Sequence, residues 1–272
     1  MAPFKIHTIC VVKNEGDIIE ECLKAASKWS DYIYVYDGQS TDGTWEKVVA
    51  MQNEQIVPWK QDGKTFQESL RAEVYNAFKD RARDGDWWCH LDADEFPVQN
   101  PKEFLAGVPS AFHVVWAAMI EYYLTQKDVD SFDFELPTAQ LLAQLRYYKA
   151  EHAEPRFVKH RDKMVWHENE GWPRHMGLVH PERILYKHFK YRSPQQIQTR
   201  LDTRRKNIEG GFTGWQHARQ ESWEQTIADV SQLQFDKNDG NFALDESRLP
   251  QHLEPAAQRL IKRIMHGTRL WP

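Results

Sequence analysis

Cysteine is scarce in this chain: Cys10, Cys22 and Cys89 are its only 3. Their odd number and lack of paired spacing exclude a disulfide framework and a cysteine-rich zinc site, and point to a reducing, cytoplasmic setting. Long hydrophobic runs are also missing. The apolar part of Phe4–Lys13 is too short and interrupted for a signal peptide, and no later stretch approaches a membrane span. Charge of one sign does not dominate: 35 Lys and Arg against 40 Asp and Glu leave a net charge of −5. No global basic field recruits nucleic acid, so no nucleic-acid partner is expected. Internal repeats, low-complexity tracts, a Gly/Ser linker and an H-E-x-x-H zinc motif are absent too. What is there is 272 residues with 41% hydrophobic and 28% charged content, enough for one large folded domain. The 11 Trp serve packing first, although indole rings also make platforms for sugars.

The first hundred residues alternate strand and helix signals. Ile6 to Val12 is a β-branched apolar run. After the break at Asn14-Glu15-Gly16-Asp17, Ile18, Ile19, Cys22, Leu23, Ala26 and Trp29 recur at helical spacing. Tyr32 to Tyr36 reads as a second strand, ending in the polar loop Asp37-Gly38-Gln39-Ser40-Thr41-Asp42-Gly43-Thr44. A helix through Trp45, Val48 and Met51, a strand from Gln55 to Trp59, and a helix opened by the capping box Thr65-Phe66-Gln67-Glu68 follow. The fourth strand is Trp87-Trp88-Cys89-His90-Leu91. A βαβαβαβ order implies a mostly parallel sheet with helices on both faces and ligands at the strands' carboxyl ends. Later signals are a strand over Phe112 to Met119, and helices over Thr138 to Lys149, 219–234 and 253–266. Residues 151–192 show little periodicity and read as loops and short strands.

Asp92-Ala93-Asp94 stands at the end of the fourth strand. Extended backbone alternates its side chains, so the two aspartates face one way and Ala93 the other. Two hard oxygen donors there suit a divalent cation that takes further oxygens from phosphate and water. Helix capping is the plainer alternative.

Lys13-Asn14-Glu15, the Asp37–Thr44 loop, Asp92-Ala93-Asp94-Glu95 and His188-Phe189-Lys190-Tyr191-Arg192-Ser193-Pro194-Gln195-Gln196 occur in this order. Together they resemble the family 2 glycosyltransferases of the GT-A fold, over roughly the first 125 residues and the His188 segment. The resemblance implies an α/β GT-A fold, with a Rossmann-like, mostly parallel central sheet and a C-terminal helical extension. Residues 1–125 would form the nucleotide-sugar core, 126–215 the acceptor half of the same domain, and 216–272 the C-terminal helices.

It also implies roles. Asp37 would bind base or ribose, with Asp42 structural. Asn14 and Glu15 would line the nucleotide pocket or cap the helix. Asp94 and Asp92, completed by His188, would hold Mn²⁺ or Mg²⁺ against the leaving diphosphate. Lys190 and Arg192 would pair with that diphosphate, and Arg71 would reach it or bond the aspartates. Arg200, Arg204 and Arg205 form either a phosphate-facing stripe or a solvated face. Glu95 is either an acceptor-side carboxylate or a salt-bridge partner. Family 2 members typically invert, so one carboxylate must take the acceptor's proton. Glu168 and Glu170, in a Trp-flanked loop, are the candidates, with an ordinary acidic loop as the alternative.

The implied activity is transfer from a nucleotide-sugar, UDP-sugar favoured, to a saccharide or lipid-linked saccharide in surface-glycan assembly such as lipopolysaccharide or capsule. Two other readings stay open: a catalytically silent nucleotide-sugar-binding module, and a sugar nucleotidyltransferase. The latter needs a glycine-rich loop after the first strand, which Lys13-Asn14-Glu15 does not supply. The last helix combines an apolar stripe with Arg259, Lys262, Arg263 and nearby Arg269. It either packs on its own core or touches the inner face of a membrane peripherally.

Overall fold

The computed structural model describes residues 4–212 and 220–272. Its first part alternates β1 (Ile6–Val12), α1 (Ile19–Ala26), β2 (Tyr32–Asp37), α2 (Thr44–Ala50), β3 (Ile56–Gln61), α3 (Leu70–Phe78) and β4 (Trp87–Leu91). Every residue of β1 is buried, because both faces of the strand are covered. Ile6, Cys10 and Val12 pack with Ile19 and Leu23 of α1 and Val48 of α2. Ile9 and Val11 pack with Leu70 and Val74 of α3 on the opposite face. β1 runs parallel to β2 and to β4, with Val12 beside Asp37 and Cys10 beside Leu91. Their three following loops therefore share one edge of the sheet.

The chain continues through β5 (Glu95–Pro97), α4 (Pro101–Gly107), β6 (Val114–Tyr122), α5 (Gln126–Ser131), α6 (Thr138–Gln144), β7 (Tyr147–Lys159), β8 (Ile184–His188), α7 (Pro194–Glu209), β9 (Gln234–Phe235) and α8 (Ala256–Gly267). The sheet order is β3-β2-β1-β4-β7-β6-β8-β5, with β9 pairing β7. β7 lies antiparallel between β4 and β6, and β6 is parallel to β8. The expected α/β architecture, mostly parallel with helices on both faces, is present.

Four local expectations need correction. The helix read over Thr138 to Lys149 stops at Gln144, since Leu145 is extended and β7 begins two residues later. The stretch read as loops and short strands opens with the end of the thirteen-residue strand β7, longer than expected there. The Thr65–Glu68 capping box does not form: α3 starts at Leu70, Thr65 Oγ1 donates to the carbonyl of Gly210, and Glu68 pairs with Arg71. In the helix read over 219–234, residue 219 lies outside the described residues. The rest holds two 3₁₀ turns, Trp223–Thr226 and Val230–Gln232, and the start of β9. Among the described residues no helix is long and apolar enough to cross a membrane.

Candidate active site

The first two loops are built as one unit. Asn14 holds a left-handed backbone at φ 55°, which asparagine tolerates better than most residues. Its N–H donates to Ser40 Oγ at 2.8 Å, and its Oδ1 accepts from Thr41 N–H at 2.9 Å. Asp42 accepts from Gly16 N–H at 2.8 Å and Thr44 N–H at 3.1 Å. Gly16 is obligatory there, because a Cβ would sit 2.8 Å from the carbonyl oxygen of Asp42. Asp37 is fully buried. It accepts from Ser40 N–H at 2.8 Å, Ser40 Oγ at 2.5 Å and Gln61 Nε2 at 2.9 Å. Its carboxylate closes its own loop, and it is not among the residues lining the cavity described next.

A cavity of about 120 Å³ opens at this sheet edge. Asn14 and Glu15 line it from the first loop, and Asp92 and Asp94 from the end of β4. Arg200, Thr203, Arg204 and Asn207 line it from α7. Small-molecule sites usually measure roughly 300–1,000 Å³. This one is narrower, and α7 supplies four of its lining residues, two of them arginines. Ser193 caps α7 by accepting from Gln196 N–H, and Pro194 opens its first turn.

Asp94 is 2% exposed and stands among two arginines and a histidine. Arg200 Nη1 donates to its Oδ2 at 2.8 Å, His188 Nε2 lies 3.4 Å away and Arg192 Nη1 3.8 Å. Burial alone would raise the Asp94 carboxyl, but His188, Arg200 and Arg192 outweigh it and hold it well below the usual carboxylate range. Strand register brings His188 here, since β5 pairs with β8 with Glu95 opposite His188. Neither ring nitrogen of His188 has a hydrogen-bond partner. Glu121, at the end of β6, stands 3.7 Å from its other side.

Asp92 is more open. Its side chain is 41% exposed and accepts from Arg71 Nη2 at 2.7 Å, so of the two roles read for Arg71 the bond to the aspartates is formed. Glu95 is the buried salt-bridge partner of Arg156, with oxygen–nitrogen distances of 2.8 and 2.9 Å. Arg156 also pairs with Glu154 on the same strand, and Glu154 is 42% exposed.

Several expected contacts go elsewhere. Arg192 is buried and bonded to Glu15 at 2.6 Å and to both oxygens of Asp17 at 2.8 Å, so it braces the first loop from within. Lys190 pairs with Glu121 at 2.9 Å and donates to Tyr123 at 2.9 Å. Neither lines the cavity. Burial, with the nearby Asp94 charge, pushes the Glu15 carboxyl up to about 7 against the pull of Arg192. Arg200 and Arg204 face inward as a pair, whereas Arg205 turns outward to Asp202 and the carbonyl of Glu221.

Glu168 and Glu170 do not line the cavity. Their segment is a turn, closed by Glu170 N–H donating to the carbonyl of His167 at 2.9 Å, so the two do not share the face an extended chain would give. Glu170 pairs with Arg174 at 2.7 Å, and that contact lowers its carboxyl. The loop's indoles are packing groups: Trp166 is buried and Trp172 stacks on His90 at 3.8 Å.

The partners that complete the site were missing from the sequence reading. Glu121 carried a usable signal, an acid at the end of an apolar strand. Glu154 and Arg156 carried none, because they sit in a strand without apolar alternation.

No family model and no curated protein matches the chain. Among solved structures, S. aureus TarS 1–349 aligns over 79% of this chain and 68% of its own at 13% identity, with a TM-score of 0.41. Its complex with UDP aligns over the same shares at 13% identity and a TM-score of 0.38. Mannosyl-3-phosphoglycerate synthase from Rubrobacter xylanophilus covers 85% of this chain and 80% of its own at 12% identity, with a TM-score of 0.35. The likeness is weak at each of these values, and the chemistry of the cleft is carried by its own residues.

Proposed function

We propose that the protein is a metal-dependent, inverting glycosyltransferase that moves a sugar from a nucleotide-sugar, a UDP-sugar by preference, to a saccharide acceptor. The observation that carries this reading is the convergence of Asp92, Asp94, Arg200 and Arg204 on one cavity at the carboxyl edge of a parallel sheet. Such an edge is where α/β sheets bind ligands. Burial and the charge of Arg200 push Arg204 down to about 10. A diphosphate entering between these arginines relieves their repulsion and draws Arg200 from Asp94. That exchange widens the narrow cavity.

The donor set suits a divalent ion. His188 turns one ring nitrogen to Asp94 Oδ2 at 3.4 Å and the other to Glu121 at 3.7 Å, neither in hydrogen-bond geometry. Asp94 and His188 would hold the ion, and imidazole favours Mn²⁺ over Mg²⁺. Among the described residues no three His, Cys, Asp or Glu converge as a ready-made metal cage, so further oxygens would come from diphosphate and water. When bound, the ion supplies charge neutralisation to the departing diphosphate. Arg71 keeps Asp92 oriented.

For the proton acceptor we take Glu154 over Glu170: both are arginine-paired and neither lines the cavity, but the half-buried Glu154 shares its partner Arg156 with Glu95 of the acidic motif, whereas Glu170 closes a surface turn. Glu154 lies on β7, next to β4, and against the pull of burial the charge of Arg156 and the contact with His152 lower its carboxyl to about 2, so it is ionised but becomes an effective base only when the acceptor draws it from Arg156. A thermal-shift screen of UDP-, GDP- and CDP-sugars with and without Mn²⁺ tests the reading. One nucleotide class should stabilise the protein only with the metal. Stabilisation by none of them contradicts it.

A further inference from the structure

Helix α8 turns its apolar side away from the protein. None of its residues is buried. Leu260, Ile261 and Ile264 are 59%, 54% and 53% exposed, and Leu270 just beyond is 70% exposed. A surface helix normally sets such a stripe on its own core. Here the polar flank makes the contacts. Lys262 Nζ donates to the carbonyl of Gly177 at 2.9 Å and pairs with Glu254, and His266 stands 3.3 Å from Arg161. Residues 256–272 carry Arg259, Lys262, Arg263 and Arg269 and no Asp or Glu, in a chain whose net charge is −5.

Beside this helix is a cavity of about 790 Å³ walled by Arg83, Lys159, Arg161, Lys163 and Arg269. None of these five forms an ion pair with a carboxylate among the described residues. Of the acids in the wall, Asp86 is committed to the N–H groups of Lys5 and Arg83, each at 2.8 Å, while Asp84 and Asp162 are exposed. Burial and the adjacent Arg161 push Lys159 down to about 8, and burial pushes Arg161 down to about 10. The exposed Asp84 offsets this only in part, and a further anion would favour both cations.

We propose that α8 and the basic cavity beside it form a docking surface for an anionic phospholipid bilayer. The aliphatic stripe enters the headgroup boundary, and the cavity's cations meet lipid phosphate. Amphipathic helices bind membranes through this combination of apolar area and attraction to anionic lipid. Charge complementarity favours lipid over a second copy of the chain. A two-fold contact through the stripe would bring one basic, acid-free segment against another. The cavity includes Trp87 at the start of β4, whereas the candidate active site is at that strand's end. Docking therefore leaves the cleft free.

Vesicle flotation with the full chain tests this without reference to the glycosyl-transfer reading. The protein should float with phosphatidylglycerol-containing vesicles and not with pure phosphatidylcholine. The double variant Ile261→Ser/Ile264→Ser should partition about tenfold more weakly, and so should Lys163→Gln/Arg269→Gln, with a shallower salt dependence in the second. All four side chains are exposed, so both variants should keep the parent's thermal unfolding midpoint. No binding to anionic vesicles, or equal binding to neutral ones, overturns the proposal. So does a wild-type dimer in sedimentation velocity that Ile261→Ser/Ile264→Ser converts to monomer, which would assign the stripe to a second copy.

Discussion

Arg192 and Arg200 set the charge balance of the cleft, and they act differently. Arg192 is locked among Glu15, Asp17 and the carbonyl of Phe189. Replacing it by methionine removes the shortest ion pair of Glu15 and leaves that carboxyl only Arg200 at 3.4 Å, at a cost of about 3–5 kcal/mol. Urea unfolding of Arg192→Met should show that loss, and a change below about 1 kcal/mol would refute the bracing role. Glu154→Gln keeps the size of the side chain and removes its basicity. Its transfer rate should fall by about 10²–10⁴-fold while the donor dissociation constant stays put. If Glu154→Gln transfers at full rate and Glu170→Gln does not, the proton goes to the surface loop instead. The acidic motif could be read from sequence because its spacing is local. Its partners could not: Arg156 meets Glu95 across 61 residues and Arg192 meets Glu15 across 177. No local pattern announces a bond that the fold must first create.

The strands that position the cleft were legible for a physical reason. β1, β2 and β4 are buried on both faces, so they appear as continuous apolar runs. β7 was not legible because its buried positions include Arg156 beside Ala150 and Ala153, which breaks the expected alternation. Trp223, Ile227 and Val230 stand at helical spacing in the stretch expected as a helix, yet no α-helix forms there among the described residues. Val230 is 44% exposed, and the Asp229 side chain caps a 3₁₀ turn there instead.

The three central strands also share a buried aromatic layer with a pH consequence. His7 is fully buried, stacks on Trp88 at 4.8 Å and contacts Tyr34 Oη at 3.1 Å. Burial lowers its pKa from 6.5 to about 4, against the pull of Asp86. Between those values the unfolded chain takes a proton that the folded ring refuses. Stability therefore falls as pH drops through that window and levels off below it. The full contribution is on the order of 3–4 kcal/mol at about 1.4 kcal/mol per unit. In His7→Phe, the difference in unfolding free energy between pH 7 and pH 5 should shrink by about 2 kcal/mol. An unchanged difference would show that another group carries the acid sensitivity.

At the scale of the whole molecule, the sheet separates two basic sites. Arg200 and Arg204 stand over the carboxyl end of β4, and the cavity near α8 lies at its start. The net charge of −5 conceals both, because acids elsewhere balance them. The central claim is that the carboxyl-edge cleft binds a nucleotide diphosphate through arginines and a metal centred on Asp94. Isothermal titration of UDP into the wild type and Asp94→Asn, each with Mn²⁺ and with chelator, tests it most directly. Binding should appear in the wild type with Mn²⁺, weaken by about tenfold or more with chelator, and vanish in Asp94→Asn. UDP affinity that is the same in all four titrations would contradict the claim.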